Sequence, residues 1–242
     1  MAETHSSPNP SPLVKQEKVS SQVSPWLARL IYPLGSYVVL PLYFGRLTVS
    51  GQEHIPRTGP VIVAPTHRSR WDALLVPYAV GRLASGRDLH YMVSANETKG
   101  IQGWFIRRMG GFPVDPEHPG ISSVRHSVEL LRDNKMLVIF PEGDIYRGQE
   151  IHPLKNGIAR IAVEVESNHP GSGIKILPVS LKYSQEYPSW GCDVQVDIGE
   201  PLTVADYLDH SHKKSAQRLT AELEAVLKEL HQPSESISIA TA

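Results

Sequence analysis

A single cysteine, Cys192, stands in 242 residues, so no internal disulfide can brace the chain, and a reducing, cytosol-facing location is the default expectation. Neither sign of charge is in surplus: 24 basic against 25 acidic side chains give a formal net charge of −1, without the broad basic footprint of a nucleic-acid binder. Any recognition of phosphate must therefore be local. The spacings that hold structural metals, such as CxxC, HExxH or an EF-hand carboxylate ladder, do not occur, and neither does the GxSxG turn that presents a nucleophilic serine. No internal repeat and no secretory leader pattern is found. Long apolar runs are also missing. The longest uncharged stretch, LIYPLGSYVVLPLYFG at residues 30–45, has about 16 residues, against roughly 20 for a spanning helix, and Pro33, Gly35 and Pro41 interrupt it.

What is present divides the chain into a body with loose ends. Residues 1–25 are rich in Ser and Pro, and residues 231–242 are similar; both have too few apolar side chains to offset the entropy of ordering and are expected to be disordered. A single domain is expected over residues 26–230, which include the apolar segment 30–45. That segment suits a helix lying in a membrane interface or one packed on the domain, and its length does not separate the two. Strands are expected at residues 47–49, 61–64, 89–93, 137–140, 174–183 and 194–198. Helices are expected after Asp72, over 122–134 with Ser122 or Ser123 as cap, after Gly157, and along Leu219, Leu223, Val226, Leu227 and Leu230. Strands interleaved with helices give an α/β fold with a central, mainly parallel or mixed sheet covered on both faces. In such sheets, sites form where loops leave the carboxyl ends of strands, a position shared by THRSRWD (residues 66–72) and PEGDIYR (residues 141–147).

His67 and Asp72 form an HxxxxD pair, in which a carboxylate holds one imidazole nitrogen and leaves the other to take a proton from a hydroxyl. On one continuous helix, five residues rotate the two about 140° apart. They meet only if His67 lies in the loop and Asp72 opens the helix as its N-cap. Eleven histidines make this spacing weak evidence by itself, and on the pair alone a capping aspartate near an unrelated histidine is the better reading. Trp71 and Trp104 read as core aromatics, and His126 as a structural histidine on an apolar helix face.

The combination PTHRSRWD, then GGFPVDP (residues 110–116), then FPEG (residues 140–143), then ILPVS (residues 176–180) resembles the glycerolipid acyltransferase family, which includes the lysophosphatidate acyltransferases. The blocks stand in the family's order and cover residues 47–198. The resemblance implies that His67 is the general base and Asp72 its orienting carboxylate. It implies that Ser69, between them, belongs to the site, that Glu142 and Gly143 line the acceptor site, and that Lys155 supplies a basic side chain ahead of the following helix. Two departures stand out. The family's arginines associated with the acceptor phosphate are replaced by Pro116 and Ile145, neither of which can grip phosphate oxygens. Arg147 is then the nearest substitute, with Arg107, Arg108 and Lys155 as further candidates, while Asp144 opposes an anion.

The expected activity is transfer of a fatty-acyl group from acyl-CoA or acyl carrier protein, as co-substrate, to a glycerolipid hydroxyl, with 1-acylglycerol-3-phosphate first among acceptors. The same chemistry on another lysolipid, an amino-lipid or an alcohol is the alternative, followed by a lipid hydrolase or a silent membrane-binding homologue. The expected partners are a membrane surface, the acyl thioester and the lipid acceptor, without nucleic acid, metal or organic cofactor. The expected location is monotopic or peripheral on the cytosolic face of a membrane.

Overall fold

The computed structural model describes residues 20–115, 120–148 and 150–232. Its centre is a sheet of eight strands: β1 (Leu47–Ser50), β2 (Val61–Pro65), β3 (Leu89–Ser94), β4 (Gly111–Val114), β5 (Met136–Val138), β6 (Lys175–Tyr183), β7 (Val194–Ile198) and β8 (Leu202–Thr203). The order is β1-β7-β6-β2-β5-β3-β4, with β8 on β6. From β6 to β4 all neighbours are parallel; β7 and β8 run antiparallel to β6, and β1 is parallel to β7. The sheet is mixed and mainly parallel, as expected.

Alternation along β2 separates two cores. Val61 and Val63 face one way, against Leu75, Val76, Ala79 and Leu40; Ile62 and Ala64 face the other, against Leu131, Ile158, Ala162 and Leu223. With both faces covered, β2 reads as one continuous apolar run. The first face carries α2 (Leu40–Tyr43), α3 (Asp72–Val80) and α4 (Arg82–Ser85), with α1 (Pro25–Leu34) packed against α4. The second carries α6 (Ile121–Arg132), α7 (Gly157–Asn168) and α8 (His212–Leu230). Between the adjacent parallel strands β3 and β4, α5 (Gly100–Arg108) returns the chain from the carboxyl end of β3 to the start of β4.

Several expectations need correction. The strand expected to end at Phe140 stops at Val138, and α5, β4 and β8 had not been anticipated. Pro113 disguises β4, yet β4 is an edge strand, where a missing N–H donor is tolerated. The α6 helix has no side-chain cap, because it begins at Ile121 with Gly120 in the cap position; Ser122 and Ser123 lie inside it, and the Ser123 hydroxyl donates to the Pro113 carbonyl. Both boundaries of the body lie further out than composition suggests. Residues 20–24 pack on the domain: the Ser21 hydroxyl bridges His90 Nδ1 and His126 Nε2 at 2.9 Å each, and Val23 makes an antiparallel bridge to Met109. Burial pushes the pKa of His90 down to about 4 and that of His126 below its ordinary value, which favours neutral rings able to share the serine. At the other end His231 is buried rather than part of a tail. Low apolar content hides these anchors because their partners are polar groups distant in sequence.

The segment 30–45 packs on the domain, one of its two readings, and leaves an apolar face exposed. Residues 25–43 form α1, a π-helical stretch (Gly35–Val39) and α2, joined end to end. Leu27, Ala28, Tyr32 and Leu40 are buried against the domain, while Trp26, Leu30, Leu34, Tyr37, Val38 and Leu42 are exposed on the opposite face. Among the described residues no helix is long and apolar enough to cross a membrane.

Candidate active site

Strand β2 ends at Pro65, and the chain turns through residues 66–71 before α3 begins at Asp72. His67 thus lies in the loop and Asp72 opens the helix, the arrangement that the spacing requires. His67 Nδ1 is 2.8 Å from Asp72 Oδ2. A carboxylate can only accept, so Nδ1 carries the proton and Nε2 presents its lone pair. Among the described residues Nε2 has no hydrogen-bond partner, and the ring remains 19 % exposed. Phe140 stacks on the imidazole at 3.9 Å between centroids and 22° between planes, fixing the ring's orientation.

Asp72 does more than open the helix. Its Oδ2 also accepts from the backbone N–H of Arg68 at 2.6 Å and of Ser69 at 2.9 Å, so it organises the loop before it rather than capping the turn after it. Its Oδ1 accepts from the Tyr183 hydroxyl, delivered by the end of β6. Burial raises the pKa of that phenol, and the neighbouring Asp72 charge adds to the effect, so Tyr183 serves as a donor. Ser69 is buried, and its hydroxyl accepts from the Trp71 N–H at 3.3 Å. Trp71 packs on Tyr43 and Phe44, which brings the end of the N-terminal helical segment against the loop.

Beneath this loop lies an ion pair not expected from the sequence. Arg68 Nη1 donates to both oxygens of Glu142 at 3.0 and 3.1 Å, and both side chains are almost wholly buried. Glu142 also accepts from the backbone N–H groups of His67 and His152, at 3.1 Å each. Arg68 reaches further, to the carbonyls of Tyr146 and Glu150 and to His231 Nε2. Burial, reinforced by the nearby Arg68 charge, lowers the His231 pKa to about 4; the neutral ring can then accept from Arg68, and its Nδ1 lies 2.8 Å from the Ser180 hydroxyl. Glu142 is therefore a strut under the loop and does not line an acceptor cleft as expected. The adjacent charged residues RSR and the PEG block carried a signal for such a pair, but nothing in the sequence fixed which arginine turned inward.

The other expected residues fall into two groups. Gly143 has φ +79°, a backbone conformation that favours glycine, and the end of the Lys155 side chain lies over it, with Cε, Cδ and Nζ 2.6–2.8 Å from where a Cβ would stand. Lys155 thus lies over the PEG turn, beside the dyad's loop. Arg147 is exposed on the same edge, with its guanidinium 4.9 Å from the centre of the Tyr187 ring. The N–H groups of Gly143, Ile145 and Tyr146 bond internally, so the turn does not hold them open for an oxyanion. Arg107 and Arg108 belong elsewhere. They end α5, just before Gly111 pairs with Tyr91 near the start of β3, at the sheet edge opposite His67; Arg108 stacks over the exposed Trp104, which is not a core residue. Pro116 lies outside the described residues.

The chain is similar to known acyltransferases. The family model described as Acyltransferase matches residues 46–182. The 1-acyl-sn-glycerol-3-phosphate acyltransferase of Bacillus subtilis is 31% identical over 198 residues, spanning 77% of this chain and 88% of that protein. The Streptococcus pneumoniae enzyme of the same name is 25% identical over 222 residues, covering 84% and 76%. The crystal structure of the 1-acyl-sn-glycerophosphate acyltransferase of Thermotoga maritima superposes with a TM-score of 0.64 at 21% identity, over 87% of this chain and 82% of that one.

Proposed function

The chain belongs to the acyltransferase family and is a glycerolipid O-acyltransferase of phospholipid biosynthesis, and we propose that its acceptor is 1-acylglycerol-3-phosphate and its donor an acyl thioester, giving phosphatidic acid. The observation that carries the mechanism is the His67–Asp72 hydrogen bond, which leaves Nε2 open at the carboxyl edge of the sheet. The acceptor hydroxyl gives its proton to His67 Nε2 as its oxygen attacks the thioester carbonyl. A new C–O bond forms, the C–S bond breaks, and the proton passes from the imidazolium to the departing thiolate. Asp72 stabilises the imidazolium while it lasts, and Tyr183, Arg68 and Ser69 hold Asp72. The donor carrier is acyl-CoA or acyl carrier protein; both present the same thioester.

Arg147 supports the phosphate reading. It is an exposed guanidinium four residues beyond Gly143, on the same edge as His67, and it compensates for Ile145. Arg107 and Arg108, on the far edge, cannot serve. Replacing Arg147 with Ala is expected to raise the acceptor KM by roughly ten- to a hundredfold, the value of a charged hydrogen bond, with the donor KM little changed. Arg147→Lys is expected to recover part of this, since an ammonium keeps the charge without the fork. Unchanged lysophosphatidate kinetics in Arg147→Ala would remove the phosphate role from this residue.

The exposed apolar face of residues 25–43 supports membrane association from one side. Trp26, Leu30, Leu34, Tyr37, Val38 and Leu42 lie along one flank of the joined helices, with Arg29 and Arg46 near its ends. Such a surface offers its area to lipid without spanning it.

A further inference from the structure

We propose that the loop joining β6 to β7, residues 184–193, is a second membrane contact, which seats Trp190 and Tyr187 in the lipid interface beside the helical face. This rests on the reading of residues 25–43 as a membrane-docking surface. The loop emerges where β6 ends at Tyr183, on the same edge as His67, because β6 runs parallel to β2. It is locked to the end of α2 at several points. The Tyr43 hydroxyl donates to the Pro188 carbonyl at 3.2 Å, the Gly191 N–H to the Tyr43 carbonyl at 2.8 Å, and the Gly45 N–H to the Cys192 carbonyl at 3.0 Å.

The Trp190 ring packs edge-on to Tyr43 at 5.8 Å, yet remains 73% exposed; Tyr187 is 66% exposed. Leu42, the last exposed apolar residue of the helical face, directly precedes Tyr43, so the loop extends that face toward the active site. Buried neighbours do not account for two large aromatics left in water, whereas an interface does: Trp and Tyr place an apolar ring in lipid and a polar edge at the head groups. The cationic rim fits an anionic leaflet, since Arg46 is exposed after the helix and Arg147 lies over Tyr187. Glu186 and Asp144 stand on the same rim and moderate that attraction. An amphiphilic acceptor would then reach His67 along the interface, without leaving the bilayer.

The test measures sedimentation of the full-length protein with phosphatidylcholine vesicles, with and without phosphatidylglycerol, for the wild type, Trp190→Ala, Tyr187→Ala and Leu30→Glu. Turnover of a short-chain, water-soluble acceptor is measured in parallel. Each loop variant is expected to weaken vesicle binding roughly three- to tenfold. Turnover of the soluble acceptor and melting temperature are expected to be unchanged in Trp190→Ala, whose side chain lies outside the core; Tyr187→Ala, which removes the ring beneath Arg147, is read for vesicle binding alone. Trp190→Phe is expected to restore part of the binding. If Leu30→Glu weakens binding and the loop variants do not, the loop proposal falls while the helical surface stands. If neither weakens it, or the wild type does not bind, the helical reading falls and the loop proposal with it. In Trp190→Ala, equal loss of turnover on the soluble acceptor would make the loop part of the substrate site and also overturn the proposal.

Discussion

Replacing His67 with Ala is expected to lower kcat for acyl transfer by about 10²–10⁴-fold, the range for loss of a positioned general base, with the melting temperature nearly unchanged. The fold survives because Asp72 keeps three other donors, the N–H groups of Arg68 and Ser69 and the Tyr183 hydroxyl, so no buried carboxylate is orphaned. Asp72→Asn tests the charge separately. Its amide oxygen has to face His67 and the two N–H groups, because an NH₂ there would meet three donors; the NH₂ then faces the Tyr183 oxygen, which can accept. Geometry and tautomer are kept while the stabilisation of imidazolium is lost, so a large fall in kcat is expected without a matching fall in stability. His67→Ala within a few-fold of wild type, measured alongside thermal unfolding, would remove His67 from the mechanism.

The second large effect is on stability. Glu142→Ala strands the Arg68 guanidinium in a buried setting and also strips acceptors from the His67 and His152 N–H groups. Breaking one side of such a pair typically costs about 3–5 kcal/mol, which for a chain of this size corresponds to a fall in Tm of roughly 6–20 °C. Activity is expected to fall as well, since His67 hangs from the same carboxylate. The double variant Arg68→Met with Glu142→Leu should recover part of the stability, because a buried pair can be replaced by apolar volume at smaller cost than it can be broken. Recovered stability without recovered activity would separate the strut's positioning role from its contribution to folding. A loss below about 1 kcal/mol in Glu142→Ala, by chemical denaturation, would show that the pair does not hold the loop.

These two sites also mark what could be read in advance. The dyad was legible through the four ordered blocks that resemble the acyltransferase family; the spacing, the preceding strand and the helix start showed only how His67 and Asp72 could meet. Buried strands such as VIVAP and the amphipathic α6, α7 and α8 were legible because burial on one or both faces imposes a period on the sequence. The strut was not. Arg68 and Glu142 are 74 residues apart, and a motif names residue types without saying whether a carboxylate points toward substrate or into the core. Tyr183, 111 residues from Asp72, and His231, 163 from Arg68, reach the site only through sheet order and the packing of α8. Arg107 and Arg108 looked available because α5 was unassigned; once that helix carries the chain back to the start of β4, their edge is decided. Ser21 went unnoticed for a related reason, since a serine between two neutral histidines leaves no trace in composition.

The most direct measurement follows a labelled acyl group supplied as acyl-CoA, and separately as acyl carrier protein, to the purified enzyme with vesicles containing lysophosphatidate. The expected result, with at least one carrier, is labelled phosphatidate formed in step with thiol release, with free fatty acid at the level of the uncatalysed control and product formation lost in His67→Ala. Label released mainly as free fatty acid, or passed to a neutral or zwitterionic lysolipid while lysophosphatidate is ignored, would contradict the assigned acceptor and make Pro116, Asp144 and Ile145 the signature of a different one.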